Sequence, residues 1–267
     1  MKIGICGFGF VGNAIHHYMV NNSFIKEVVI YDKYKKINTL DHLLSMDSIY
    51  ICIPTPYDDV IKKYNMDEID NTLFLLSEMK YTGIIFIKST VLPDYCESKN
   101  KELSNLYIIN NPEFLSAATA VHDFANQEHI ILGYTEISKK VIHIGEEFYK
   151  LIFPGALIST TNSTTSSITK LACNSFYATK VQYFTELFLL CERMNISFNE
   201  VKSLMLNNKW INSKHTTVPG SDGQISFGGA CFPKDINALN QFMIVNNTPN
   251  KVINAVIMER NDMRENI

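Results

Sequence analysis

The residues with the most chemistry in them form one run late in the chain, Phe227-Gly228-Gly229-Ala230-Cys231-Phe232-Pro233-Lys234-Asp235. Two glycines let a backbone close on a ligand, and Cys231 stands where a helix opens near Pro233. A helix N-terminus and a neighbouring lysine, here Lys234, both favour thiolate over thiol, which is the form a cysteine nucleophile needs. Upstream, Lys170 and Asn174 are four residues apart and so project from one helix face, where an ammonium can steady a developing alkoxide. Three shorter segments end apolar runs: Ile51–Pro56 with Thr55, Ile87–Pro93 with Thr90, and Asn110–Leu115 with Glu113, Phe114 and Leu115. Taken one at a time, each segment reads equally well as turn chemistry, Cys231 as a core cysteine and Lys170 as a snorkelling lysine.

A second kind of chemistry opens the chain. Gly7-Phe8-Gly9-Phe10-Val11-Gly12 follows an apolar run and precedes a helical pattern. In this spacing Gly7 permits a tight turn, Gly9 lets a pyrophosphate approach the backbone, and Gly12 lets helix and strand pack closely. The next apolar run ends in Asp32, 20 residues beyond Gly12, where a carboxylate should grip ribose hydroxyls and repel a 2′-phosphate. NAD is therefore favoured over NADP. Lys33, Lys35 and Lys36 read as a solvated loop, with one of them, assigned as Lys36, near the adenosine. The plainer alternative is a glycine turn beside a surface aspartate.

These residues need a frame. Short apolar runs at Lys2–Cys6, Glu27–Tyr31, Ser48–Ile53, Ile84–Lys88, Tyr107–Asn110 and His129–Gly133 alternate with helical patterns such as Asp67–Met79 and Ile137–Leu151. The rhythm predicts an α/β fold, a Rossmann-like doubly wound parallel sheet over residues 1–160. After the Ser/Thr-rich stretch Ser159–Ser167 the character changes. An uninterrupted helix is expected from Thr164 to Met194, another over Phe198–Leu206, a polar loop over Asn207–Ser226, and two more helices from Pro233 onward. Residues 161–267 thus read as an all-helical domain with one long helix.

Composition narrows the function classes. Of 267 residues, 46% are apolar, too many for a disordered chain. Lys and Arg number 24 against 27 Asp and Glu, so no basic field exists to hold a nucleic acid. No apolar run reaches the ~18 residues of a membrane helix, and MKIGICGFGFVGNAI reads as a first strand rather than a signal peptide. Six cysteines show no C-x-x-C pair and no spacing with histidine that suggests a metal, which fits a reduced, cytoplasmic protein. A charged fraction of 19% lies below the roughly 25% usual for soluble domains and, with the long helix, points to a homodimer through the helical domain.

The combination resembles the UDP-glucose/GDP-mannose dehydrogenase family, most of all its UDP-glucose branch. The matching pieces are Gly7–Gly12, Pro54-Thr55-Pro56, Lys88-Ser89-Thr90, Asn111–Leu115, Lys170-x-x-x-Asn174 and Phe227–Asp235, in the family's order; Val218–Gly223 also resembles part of the UDP-glucose branch. The resemblance implies that a nucleotide-sugar primary alcohol is taken to the carboxylate by two hydride transfers to NAD. It implies that a water held by Asp235 and Thr90 helps remove the hydroxyl proton while Lys170 steadies the oxyanion. Cys231 then adds to the aldehyde, giving a thiohemiacetal whose oxidation leaves a thioester, and water activated by Glu113 hydrolyses it. Asn174 helps position the substrate oxygen. Glu113, Phe114, Leu115, Lys170, Asn174, Phe227, Gly228 and Gly229 line the sugar site, while Val11, Thr55, Thr90 and Lys234 touch the cofactor.

Three departures accompany the match. Ala117 stands where the family usually carries a second glutamate, and Ser167 where an acidic residue commonly precedes the helix lysine. Lys251–Asn266 resembles the start of the helix that leads, in the family, to a third domain binding the nucleotide. The sequence stops at Ile267. A minimal dehydrogenase completed by a partner, an enzyme for another sugar, and an NAD-binding fragment without turnover all stay open. So does a rival class, the β-hydroxyacid and 6-phosphogluconate dehydrogenases, which share a Lys-x-x-x-Asn pair but make one hydride transfer without a cysteine. A non-catalytic NAD-binding interaction protein is the alternative outside enzymes.

Overall fold

Side chains on neighbouring positions of the first strands point to opposite sides of a sheet, and both sides are apolar. The computed structural model describes residues 1–58 and 60–264; Glu265–Ile267, the end of the expected last helix, lie outside the described residues. It divides into two units, Met1–Asp58 with Tyr64–Lys170, and Asp59–Lys63 with Leu171–Ile267. The division falls within the long helix.

The first unit holds strands β1 (Lys2–Cys6), β2 (Glu27–Tyr31), β3 (Ser48–Ile51), β6 (Ile84–Ile87), β7 (Tyr107–Asn110), β8 (His129–Tyr134) and β9 (Leu157–Asn162) in the order β2-β1-β3-β6-β7-β8-β9. Two-residue strands β4 (Tyr57–Asp58) and β5 (Lys63–Tyr64) form a separate hairpin. Ile3, Ile5, Tyr50, Phe86 and Ile109 pack on one face with α1 (Phe10–Met19), α4 (Ala120–Ala125) and α5 (Ile142–Ile152). Cys6, Ile49, Ile51, Ile85, Ile87 and Ile108 pack on the other with α2 (Asp67–Glu78) and α3 (Tyr95–Glu102). The period-2 alternation puts each strand between two helical layers, the arrangement of a buried parallel sheet. Strand order reverses between β1 and β3, which run parallel, so the loops after them flank a crevice of the kind in which ligands bind.

Pairing is parallel from β2 through β7, as expected. The β7–β8 pair is antiparallel, Ile109 facing Tyr134 and Asn110 facing Gly133, so the sheet is mixed rather than wholly parallel. The connection carries only the six-residue α4, about 9 Å of helix at 1.5 Å per residue. That is shorter than the roughly 13 Å of a four-residue strand, and the chain turns back instead of crossing over. β9 occupies part of the Ser/Thr-rich stretch Ser159–Ser167, for which no strand is expected from sequence. Ile158, Thr160 and Thr161 are β-branched residues suited to an extended edge, and β9 pairs parallel with β8.

The long helix α6 runs Ser163–Met194, followed by α7 (Phe198–Asn207), α8 (Phe232–Val245) and α9 (Lys251–Met263). The oxygen of Ser197 caps α7 by accepting from the Glu200 N–H, and Pro233 sits in the first turn of α8, where its missing N–H costs nothing. One core of the second unit joins Ala178, Phe227, Ile236 and Ile257; the other joins Phe184, Cys191, Phe198 and Val218. Among the described residues no helix is long and apolar enough to cross a membrane.

Candidate active site

Each glycine of the opening turn meets different surroundings. Gly7 sits at φ +94°, left-handed backbone that a side chain would strain. A Cβ on Gly12 would lie 2.0 Å from the Gly7 carbonyl oxygen, so α1 packs directly on the turn. Gly9 faces open space, with nothing within 4 Å of where its Cβ would be. It precedes α1, whose first turn has neither a side-chain cap nor an acidic residue. The free N–H groups and the gap at Gly9 suit a pyrophosphate. Val11 is half-buried against the core.

Asp32 closes β2 and is tied into the same turn. One carboxylate oxygen accepts the Phe8 N–H at 2.7 Å; the other accepts the N–H groups of Tyr34 at 3.0 Å and Lys35 at 2.8 Å. Burial raises its pKa, but those three amides and the Lys35 charge outweigh it and hold the carboxyl below its ordinary value. The lysine nearest the turn is Lys35, whose ammonium donates to the Phe8 carbonyl at 2.6 Å. Lys36 is exposed, at φ +55°. Thr55 is buried and donates to the Thr90 carbonyl at 2.8 Å, linking the loops after β3 and β6. Thr90 itself is half-buried.

Also within the first unit, Glu113 and Lys170 come together. The Lys170 ammonium lies 3.3 Å from one Glu113 oxygen, and both residues are buried. The other Glu113 oxygen accepts the Leu115 N–H at 2.6 Å, and the Lys170 nitrogen lies 5.3 Å from the centre of the exposed Phe114 ring. A second buried lysine, Lys88, was part of a matching motif but had been given no role. Its ammonium donates to the Asn111 side-chain oxygen at 3.2 Å and to the Pro112 carbonyl at 3.5 Å. Burial pushes its pKa down to about 8, with Glu113 and Cys52 opposing and Lys170 adding to the fall. The signal for it was a lysine directly continuing the apolar strand Ile84–Ile87.

In the second unit the Asn174 amide donates to Asp235 at 2.6 Å, and the Lys234 ammonium pairs with the other Asp235 oxygen. Asp235 is fully buried. Cys231 is half-buried at the position that caps α8, and its carbonyl accepts the Asp235 N–H at 3.0 Å. The ring of Phe227 does not line an open surface: the residue is 2% exposed and belongs to the core, because Ala178, Ile236 and Ile257 surround it. Gly229 is exposed at φ +75°.

Two arginines went unnoticed in the sequence. Arg264 donates to the Gln224 side chain at 2.9 Å and the Ser226 carbonyl at 3.2 Å, and pairs with Asp222. A Cβ on Gly228 would sit 2.3 Å from its guanidinium. Arg260 donates to the Phe227 carbonyl at 3.4 Å. Arginines on and just after a helix that also bears Ile253, Val256 and Ile257 were the available clue.

A glycine turn on a doubly wound sheet, an acidic residue closing its second strand, and a helical unit with a helix-capping cysteine define a dehydrogenase-like, dinucleotide-binding chain. The chain belongs to the UDP-glucose/GDP-mannose dehydrogenase family. The family's NAD binding domain matches residues 25–153 and its central domain residues 164–262, and NAD is the cofactor of the first. The chain is 30% identical over 256 residues to a UDP-glucose 6-dehydrogenase of Rickettsia felis, covering 92% of this chain and 55% of that protein. It is also 30% identical over 235 residues to UDP-glucose 6-dehydrogenase TuaD of Bacillus subtilis, covering 83% and 48%. The chain thus spans about half the length of these curated relatives. A UDP-glucose dehydrogenase structure from Pyrobaculum islandicum superposes with TM-score 0.82 at 18% identity, covering 98% of this chain and 68% of that one. A UDP-D-ManNAc dehydrogenase from Pyrococcus horikoshii gives 0.82 at 19%, covering 98% and 69%. Both share the fold.

Proposed function

We propose that this chain carries the oxidation machinery of a nucleotide-sugar dehydrogenase, which takes a primary alcohol, that of UDP-glucose, to the carboxylate of UDP-glucuronate. Residues 1–160 serve NAD binding, and residues 161–267 bring Lys170 and Cys231. The observation that carries the reading is Cys231 itself, half-buried at the head of α8 and one turn before an Asp235 held by Asn174 and Lys234. A cysteine kept only for packing would be expected in hydrocarbon, as Cys6, Cys52, Cys96 and Cys191 are.

Bound NAD would accept one hydride in each of two oxidations. Gly9 and the open end of α1 would hold its pyrophosphate, and Asp32 its ribose. Lys170 steadies the alkoxide as the hydroxyl proton leaves to water, a step to which the resemblance also assigns Thr90 and Asp235. Asn174 orients the substrate oxygen. The Cys231 sulfur adds to the aldehyde carbon, which restores a tetrahedral carbon from which a second hydride can depart. The resulting thioester is opened by water that gives its proton to Glu113, releasing the acid and the thiol.

The test is to incubate the protein with NAD and UDP-glucose and count NADH per sugar consumed. Two supports the proposal, one indicates the two-electron hydroxyacid type, and none at saturation leaves NAD binding alone. In Cys231→Ser the reaction should stop at the aldehyde; full conversion to acid by that variant removes the thiol from the mechanism. We also assign a homodimer. Phe176, Tyr183 and Leu190 recur every seven residues on α6 and are 64%, 52% and 53% exposed, an apolar seam suited to a facing helix. Light scattering should report twice the mass of one chain, falling in Tyr183→Lys. Among the described residues the cysteines form no disulfide, which agrees with a reducing compartment such as the cytoplasm.

A further inference from the structure

Glu113 is placed by a turn, and that turn is held from behind. Asn111 is fully buried and every polar group of its side chain is engaged. Its amide nitrogen donates to the Ile131 carbonyl at 2.9 Å, and its oxygen accepts both the Tyr149 hydroxyl and the Lys88 ammonium. Its backbone N–H donates to the Ile87 carbonyl at 2.9 Å, and that of Lys88 to the Ile51 carbonyl at 2.9 Å. The Lys88 side chain thus crosses from the end of β6 to the two residues that precede Glu113. It is 2% exposed, and a stem that deep with three donors on its end is expensive to bury unless those donors are used.

We propose that Lys88 is the positioning residue for Glu113: its buried amine pins the Asn111–Pro112 turn and thereby aims the carboxylate towards Lys170. The inference rests on the reading of Glu113 as the group that takes a proton from water. It assigns work to a lysine that takes no part in the steps above.

Charge supports the geometry. Lys88 is acted on by Glu113 from the turn after β7, by the Cys52 thiol after β3 and by Lys170 on α6, and the Phe124 ring of α4 lies 6.0 Å from its nitrogen. Burial pushes the Cys52 thiol above its ordinary value, so at neutral pH it contributes no charge. Two ammonium groups then share one carboxylate. Burial holds the Lys88 pKa near 8.

Two measurements on the full chain decide the matter. Lysine-selective 13C and 15N labelling follows the Lys88 side chain by NMR from about pH 6 to about pH 11, with Lys88→Arg identifying its signal. Glu113→Gln should lower the Lys88 midpoint by roughly one pH unit, and Lys170→Met should raise it, because opposite and like charges act in those directions. A Lys88 that titrates like an exposed lysine, near about 10.4, or a midpoint unmoved in both variants, overturns the proposal. The second measurement uses turnover of UDP-glucose. Lys88→Met should slow acid formation roughly tenfold or more while leaving the first hydride transfer within about twofold, with acylated Cys231 accumulating. Adding Lys88→Met to Glu113→Gln should cost nothing further, since both act on one step. Equal losses in both steps, or full additivity, overturn the proposal. A wild-type protein that makes no NADH from UDP-glucose defeats the functional reading instead, and the NMR titration still decides the role of Lys88.

Discussion

Among the described residues, two buried ionic clusters, one in each unit, are balanced differently. In the first, Lys88 and Lys170 face one carboxylate, Glu113, and all three are buried. In the second, the fully buried Asp235 pairs with the ammonium of Lys234 and accepts the amide of Asn174. Lys234 keeps 21% of its side chain exposed and can turn to water if its partner is lost; Lys88 and Lys170 cannot. A cluster with surplus positive charge should respond to pH and to anions.

Removing the two carboxylates is the strongest way to break this comparison. Glu113→Gln leaves two buried ammonium groups without an anion and should destabilise the protein by about 3–5 kcal/mol at neutral pH, read by urea unfolding. Asp235→Asn keeps an acceptor for the amide and lets Lys234 swing outward, so about 1–2 kcal/mol is expected. Equal losses would show that exposure of the cation does not matter.

Alkaline pH gives the next largest effect. Lys88 has a pKa of about 8 in the folded chain against 10.5 when free, so between those values the unfolded chain holds more protons and stability rises with pH. The burial penalty is fully present below about pH 8 and has gone by about pH 10.5, a gain of about 3 kcal/mol at most. It should be missing in Lys88→Met, measured beside wild type at each pH to cancel the other titrating groups. Asp32 works in the opposite sense. Its carboxyl is held low when folded, so its contribution is present above about pH 4 and is lost as pH falls further. NAD affinity should fall in step.

The smallest effect on stability separates folding from ligand binding. Gly9→Ala meets no protein atom within 4 Å, so unfolding should shift by no more than about 0.5 kcal/mol. A methyl group facing the pyrophosphate should still weaken NAD by roughly tenfold, about 1.4 kcal/mol. Calorimetric titration and thermal unfolding of the same variant check both halves.

Local patterns explain what could be read from sequence. Gly7–Gly12, the apolar strands and Asp32 are determined by near neighbours, and period-2 patterning fixes which side chains enter which layer. The reversed direction of β8 escaped because it depends on how far α4 reaches, which depends on the shortness of a helix whose pattern gave no sign of it. β9 escaped because Ser159–Thr161 has turn composition and acquires its extended form only by pairing with β8. Lys88 was legible as a motif letter, but its depth was not, since the groups around it come from the loop after β3, from α4, from α6 and from the turn after β7. Phe227 was taken as lining from the resemblance alone, and its core partners lie far away in the chain on α6, α8 and α9.

Arg264 gives the tail of α9 an importance its position does not advertise. Its guanidinium bolts down Asp222, Gln224 and Ser226, some 38 to 42 residues earlier, and the scaffold so fastened leads straight to the cysteine. Trimming the protein a few residues short of that arginine, a routine step when shortening a chain for crystallisation, would spare every proposed reactive group yet unfasten the strap that carries one of them.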